Sequence, residues 1–97
     1  MTTTERSENG KSGTVYLLHF ERKYKHAQHY LGWTVDLDHR LAAHRSGNGA
    51  RLVEVITGEG IGFALARTWR GGRDLERRLK QRKNSPRLCP LCQEQVR

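Results

Sequence analysis

The run TVYLLHF, residues 14–20, limits what this chain can fold into more than any other stretch of it. It is β-branched and aromatic enough for a strand, and its apolar character is nearly continuous instead of alternating. A strand with one solvated face alternates, whereas a continuous run asks for cover on both faces, so residues 14–20 belong in the middle of a sheet. A chain of 97 residues has apolar surface for a single modest core. Everything else must pair with this strand or pack on it.

The polar stretch ERKYKHAQ turns the chain as a long loop, and HYLGWT then reads as a second strand, antiparallel to the first. Thr34 or Asp36 supplies a helix N-cap, Leu37, Leu41 and Ala42 give an apolar face at helical spacing, and SGNG ends the helix. In ARLVEVITGEG, Leu52, Val55 and Ile56 favour a short helix, with a strand as the alternative. IGFALARTW, residues 61–69, is a third strand, RGGR breaks it, and DLERRLKQRK is a helix with Asp74 near its start and Leu75 and Leu79 inward. The result is an α/β (α+β) domain over residues 13–84, a small three-stranded antiparallel sheet flanked by helices. Residues 1–12, polar and rich in Ser, Thr and Gly, form a disordered lead-in, and residues 85–97 form an irregular, Pro-interrupted tail.

Charge narrows the partner. Eighteen Lys and Arg against ten Asp and Glu leave +8, a field that attracts polyanions, with nucleic acid ahead of an acidic membrane surface or an acidic protein. No apolar run approaches the roughly 18 residues of a membrane span, and the N-terminus lacks the apolar core of a signal peptide. Two cysteines are too few for a disulfide scaffold, which fits a reducing, cytoplasmic location.

The first strand carries TVY (Thr14, Val15, Tyr16) and the second YLG (Tyr30, Leu31, Gly32). Arg40 follows Tyr30 by ten residues, His44 follows Arg40 by four, and Glu76 lies in the later basic helix. In this order and spacing the chain resembles the GIY-YIG nuclease family over residues 13–84. The departure is Thr14, where the family has Gly. The resemblance implies a divalent-metal-dependent endonuclease that hydrolyses DNA phosphodiester bonds with a single Mg²⁺ or Mn²⁺. It implies Tyr16, Tyr30, Arg40, His44 and Glu76 as the catalytic set, with Glu76 as metal ligand and Asn84 as a further candidate.

The residue chemistry suits those roles. Arg40 and His44, one turn apart, share a helix face that looks toward Tyr30, while Leu37 and Leu41 anchor the other side. Guanidinium grips phosphate oxygens with paired donors. A carboxylate is a hard ligand for Mg²⁺, which keeps most of its waters. Tyr30 is the candidate general base, needing nearby positive charge because a phenol of pKa about 10 holds its proton at neutral pH. Tyr16 and His44 orient the water or pass a proton. Arg73, Arg77, Arg78, Lys80 and Lys83 form a phosphate-tracking surface on the last helix. A catalytically silent nucleic-acid-binding module on the same fold is the alternative.

The other signals favour ordinary roles. Trp33 either stacks on a base or packs. His26 and His29, an H-x-x-H pair in a polar loop, read as solvated. Cys89 and Cys92 in CPLC are half of a zinc site by spacing. With no second Cys pair, packing or weak metal binding is favoured over a closed zinc site, and a redox dithiol comes last.

Overall fold

The computed structural model describes residues 12–82 and 85–92. β1 (Gly13–Tyr24), β2 (Ala27–Thr34) and β3 (Phe63–Gly71) form one antiparallel sheet in the order β2-β1-β3. The expected three-stranded sheet is therefore the fold, and TVYLLHF lies in its middle strand. Val15, Tyr16, Leu17, Leu18, His19 and Phe20 are all buried, as a strand covered on both faces must be.

Helices supply that cover, and strand alternation sorts the side chains between them. Tyr16, Leu18 and Phe20 face one way and pack with Leu41 of α1 (Leu37–Arg45), and with Val53 and Ile56 of α2 (Arg51–Gly58). Val15 and Leu17 face the other way and join Leu31, Trp33, Cys89 and Leu79 of α3 (Arg73–Arg82). Leu75 and Leu79 thus point inward as their spacing predicts, leaving Arg73, Arg77, Arg78 and Lys80 exposed. Among the described residues no helix is long and apolar enough to cross a membrane.

Local chemistry accounts for the helix ends. The Asp36 carboxylate accepts the His39 N–H at 3.1 Å and caps α1. Thr34, the other cap candidate, instead accepts the Asp36 N–H through its hydroxyl at 3.1 Å and sets the turn into the helix. Gly47, with φ +84, takes the left-handed turn that ends α1. The segment after SGNG is helix throughout Arg51–Gly58.

Two expectations change. The stretch after Phe20 is not a long loop: β1 runs on to Tyr24, and only Lys25 and His26 turn the chain, with Lys25 at φ 58. Ladder pairing needs backbone, not apolar side chains, so Glu21, Arg22 and Lys23 extend the ribbon while exposed to water. Nor are residues 85–92 irregular, since Ser85–Leu88 is a turn of helix (α4) and Cys89 is fully buried, while residues 93–97 of the expected tail lie outside the described residues. Leu88, Leu91 and Cys89 give it enough apolar surface to lie against the sheet. The expectations of a disordered lead-in over residues 1–11, of Lys83 on the basic face and of Asn84 in the site fall outside the described residues.

Candidate functional site

Tyr16 and Tyr30 stand on neighbouring strands of the α1 side of the sheet, with Gly32 directly across from Tyr16 and Tyr30 across from Leu18. Gly32 neither makes a turn nor opens the backbone to a ligand. A Cβ there would come within 2.6 Å of the Tyr16 ring carbon Cζ and hydroxyl, and within 2.8 Å of Tyr30 Cε2. The absent side chain is the slot into which the two rings close, their centroids 6.1 Å apart.

His44 enters the same space from α1. Its Nε2 lies 2.8 Å from the Tyr16 hydroxyl, and its ring is 5.7 Å from that of Tyr16 and 5.5 Å from that of Tyr30. His44 is fully buried, so the helix face shared with Arg40 is no solvated polar stripe. Gly49 makes this burial feasible, because a Cβ there would fall 2.1 Å from His44 Nδ1. Reading the sequence had assigned Gly49 only to the helix stop, and nothing in SGNG says which side chain it must admit. Arg40 has its Nε buried without a hydrogen-bond partner among the described residues, while the residue also lines an open groove of about 610 Å³ with His39, Ala43 and Asn48. Its guanidinium therefore reaches between the tyrosine pocket and solvent.

The electrostatics divide the two groups. Burial, then the neighbouring Tyr30, pushes the Tyr16 phenol well above its ordinary range, with Arg40 opposing and Glu76 adding to the rise. Burial, then Arg40, pushes the His44 imidazole down. At neutral pH Tyr16 holds its proton and His44 is uncharged, so the hydroxyl donates to Nε2 when Nδ1 carries the ring proton. Glu76 sits on α3, its charge felt at Tyr16, its side chain 16% exposed and ion-paired with Lys80 at 3.2 Å. Tyr16, Tyr30, Arg40 and His44 thus meet in one place, with Glu76 near enough to act on it electrostatically.

Burial of a neutral His44 carries a stability consequence. The unfolded imidazole takes up a proton below about pH 6.5, whereas the folded one resists it. The stability this group supplies is complete above that pH and is lost as pH falls toward the lower folded value. Urea midpoints of the native chain should therefore drop more between pH 7.5 and 5 than those of His44→Gln, in which the other histidines still titrate. Parallel slopes for the two would contradict a buried neutral His44.

Trp33 packs. It is 9% exposed, its indole N–H donates to the Gly71 carbonyl at 2.9 Å, and Arg73 lies over its ring at 4.8 Å.

A second constellation occupies the opposite face. His19 and His29 are partners across the β1–β2 ladder, and Cys89 and Cys92 come over them from the C-terminal segment. All four ligand atoms lie within 4.8 Å of one another. From the sequence, His29 is expected to be solvated and His19 stands out only as a polar residue in an apolar strand. The H-x-x-H pair in fact divides, His26 exposed in the turn and His29 in the cluster. The signal was present: antiparallel pairing that puts Tyr16 across from Gly32 also puts His19 across from His29. This cluster can hold a metal ion, and its imidazole and thiol donors suit a soft or borderline cation.

No family model, curated protein or solved structure matches the chain. The geometry above therefore stands by itself.

Proposed function

We propose that the protein is a divalent-metal-dependent endonuclease acting on DNA, with its reaction centre at Tyr16, Tyr30, Arg40, His44 and Glu76. The observation that carries this reading is the convergence of a protonated buried phenol, a neutral buried imidazole and a second phenol, with the Arg40 guanidinium acting on both buried groups. Such a set is costly to bury and is explained by use. The ordered resemblance to the GIY-YIG nucleases supplies the reaction class.

In this reading Arg40 grips the phosphate from the groove side and offsets the charge that builds on its oxygens. Tyr30, against the His44 edge, takes the proton of the attacking water, while the buried Tyr16, tied to His44, fixes the two rings beside it. The water oxygen bonds to phosphorus as the bond to the leaving sugar oxygen breaks, and the leaving oxygen takes up a proton from solvent. Glu76 is the carboxylate that would hold Mg²⁺ or Mn²⁺: it is mostly buried, its charge is felt at Tyr16, and Lys80 is its ion-pair partner among the described residues. When bound, such an ion stabilises the phosphoryl and leaving oxygens. The Glu76–Lys80 pair is also what favours the second reading, a silent binding module in which that carboxylate is merely structural.

The deciding assay is cleavage of plasmid, flap, junction and single-stranded DNA with Mg²⁺ or Mn²⁺ added or omitted. Omission is preferable to a chelator, which would also strip a cation from the Cys/His cluster. Cation-dependent cleavage is expected, and binding of every substrate with cleavage of none would leave the silent module. Binding itself should be largely electrostatic, with log K falling by about 0.9 per phosphate neutralised as log salt rises. Arg77→Ala with Arg78→Ala, both exposed on α3, should flatten that slope by about two. An unchanged slope would remove α3 from the DNA path.

A further inference from the structure

The Cys/His cluster carries more than the capacity to hold some cation. We infer that His19, His29, Cys89 and Cys92 form a closed, tetrahedral, structural Zn²⁺ site that fastens the C-terminal segment to the sheet. Four of the six ligand–ligand distances match a single ion, and all six lie within 4.8 Å. With Zn–N about 2.05 Å and Zn–S about 2.3 Å, tetrahedral angles require edges of about 3.3 Å between nitrogens, 3.6 Å between nitrogen and sulfur and 3.8 Å between sulfurs. His19 Nδ1 to His29 Nε2 is 3.3 Å, and the nitrogen–sulfur separations are 3.4 Å for His19–Cys89, 3.6 Å for His19–Cys92 and 3.2 Å for His29–Cys92.

Hydrogen bonding alone does not account for this arrangement. His19 Nδ1 faces three partners at once, yet a ring nitrogen offers either one N–H or one in-plane lone pair. A cation at the centre satisfies all four atoms together. A two-iron cluster would place the thiols and the imidazoles on different irons, farther apart than these interleaved distances allow. Two sulfurs and two nitrogens in tetrahedral array select zinc.

Four protein ligands leave no open position, which makes the ion structural. Its site also lies on the face of β1 opposite Tyr16, among Val15, Leu17 and Leu79. The segment it holds is short. Among the described residues, its other anchors include Leu88, Leu91 and a hydrogen bond from Arg67 Nη1 to the Leu88 carbonyl at 3.3 Å. Metal binding adds its own free energy to the ordering of this segment.

The full-length chain, purified with a thiol reductant present, should retain about one Zn²⁺ per chain through dialysis. Replacement by Co²⁺ should give thiolate charge-transfer absorption and the strong visible bands of a tetrahedral ion. His29→Ala and Cys92→Ser should each reduce retained zinc by about tenfold or more, and removing zinc from the native chain should lower Tm by about 10 °C or more. Should the metal-free chain be unfolded, added Zn²⁺ must refold it. The inference is overturned by a folded native chain that keeps no zinc, by Co²⁺ uptake without thiolate bands, by zinc content that His29→Ala leaves unchanged, or by an unfolded chain that Zn²⁺ does not rescue. Because every readout is metal content, absorption or stability, it fails or stands apart from the nuclease reading.

Discussion

Glu76→Gln is expected to leave folding and DNA affinity nearly unchanged and to cut cleavage in Mg²⁺ by about a hundredfold or more, the effect of losing a several-kcal/mol metal contribution. Glutamine keeps the size and helix propensity of glutamate and removes only the charge a hard cation requires. The competing explanation is on the same helix. Glu76 pairs with Lys80 at 3.2 Å, so a structural carboxylate would lose only that i,i+4 contact, worth about 0.3–0.5 kcal/mol on a helix surface. Lys80→Met separates the two explanations, because it breaks the pair and leaves the carboxylate free for a cation. At saturating DNA, cleavage by Lys80→Met should stay within a few-fold of native, the lost phosphate contact of Lys80 showing only as weaker binding. If both variants cleave like the native chain, Glu76 holds no catalytic metal. If both are equally impaired, the ion pair is what matters.

Gly32→Ala should cost about 3 kcal/mol, at the upper end for an added methyl group in a packed core, and should abolish cleavage with it. Built on the native backbone, the new Cβ meets the Tyr16 ring carbon Cζ and hydroxyl at 2.6 Å. Tyr16 cannot swing aside, because it is fully buried and its hydroxyl is held 2.8 Å from His44 Nε2. In a domain of this size the loss corresponds to a fall in Tm on the order of 10–20 °C. Gly58→Ala is the matched control. Nothing lies within 4 Å of a Cβ there, so the change should be neutral or stabilising by less than about 1 kcal/mol. A Gly32→Ala chain that melts within about 2 °C of native would show that the tyrosines do not close over this position.

How far the sequence could be read depended on whether a residue's partner lay near it in the pattern. TVYLLHF announces a central strand because apolar continuity reflects burial on both faces, and Val15 to Phe20 are buried accordingly. Leu75 and Leu79 announce the inner side of α3 by their spacing. That Tyr16, Tyr30 and His44 come together was legible in the order and spacing of the residues, though not the burial that holds His44 neutral. That burial depends on Gly49, whose meaning lies in the backbone passing His44 Nδ1.

The Cys/His cluster marks the boundary most clearly. By itself the sequence determined three strands, the helices α1 to α3, the basic surface and a C-x-x-C half-site, because each follows from local periodicity, composition or spacing. Only the tertiary structure decided that the half-site is completed. His19 sits in an apolar strand and His29 in what reads as a polar loop, and they meet through the register of the β1–β2 ladder. Cys89 and Cys92 then reach them across a sequence separation of 70 residues for the His19–Cys89 pair. Ladder register and the docking of a distant segment are properties of the packed chain. A ligand set assembled through both leaves no periodic trace in the order of the residues.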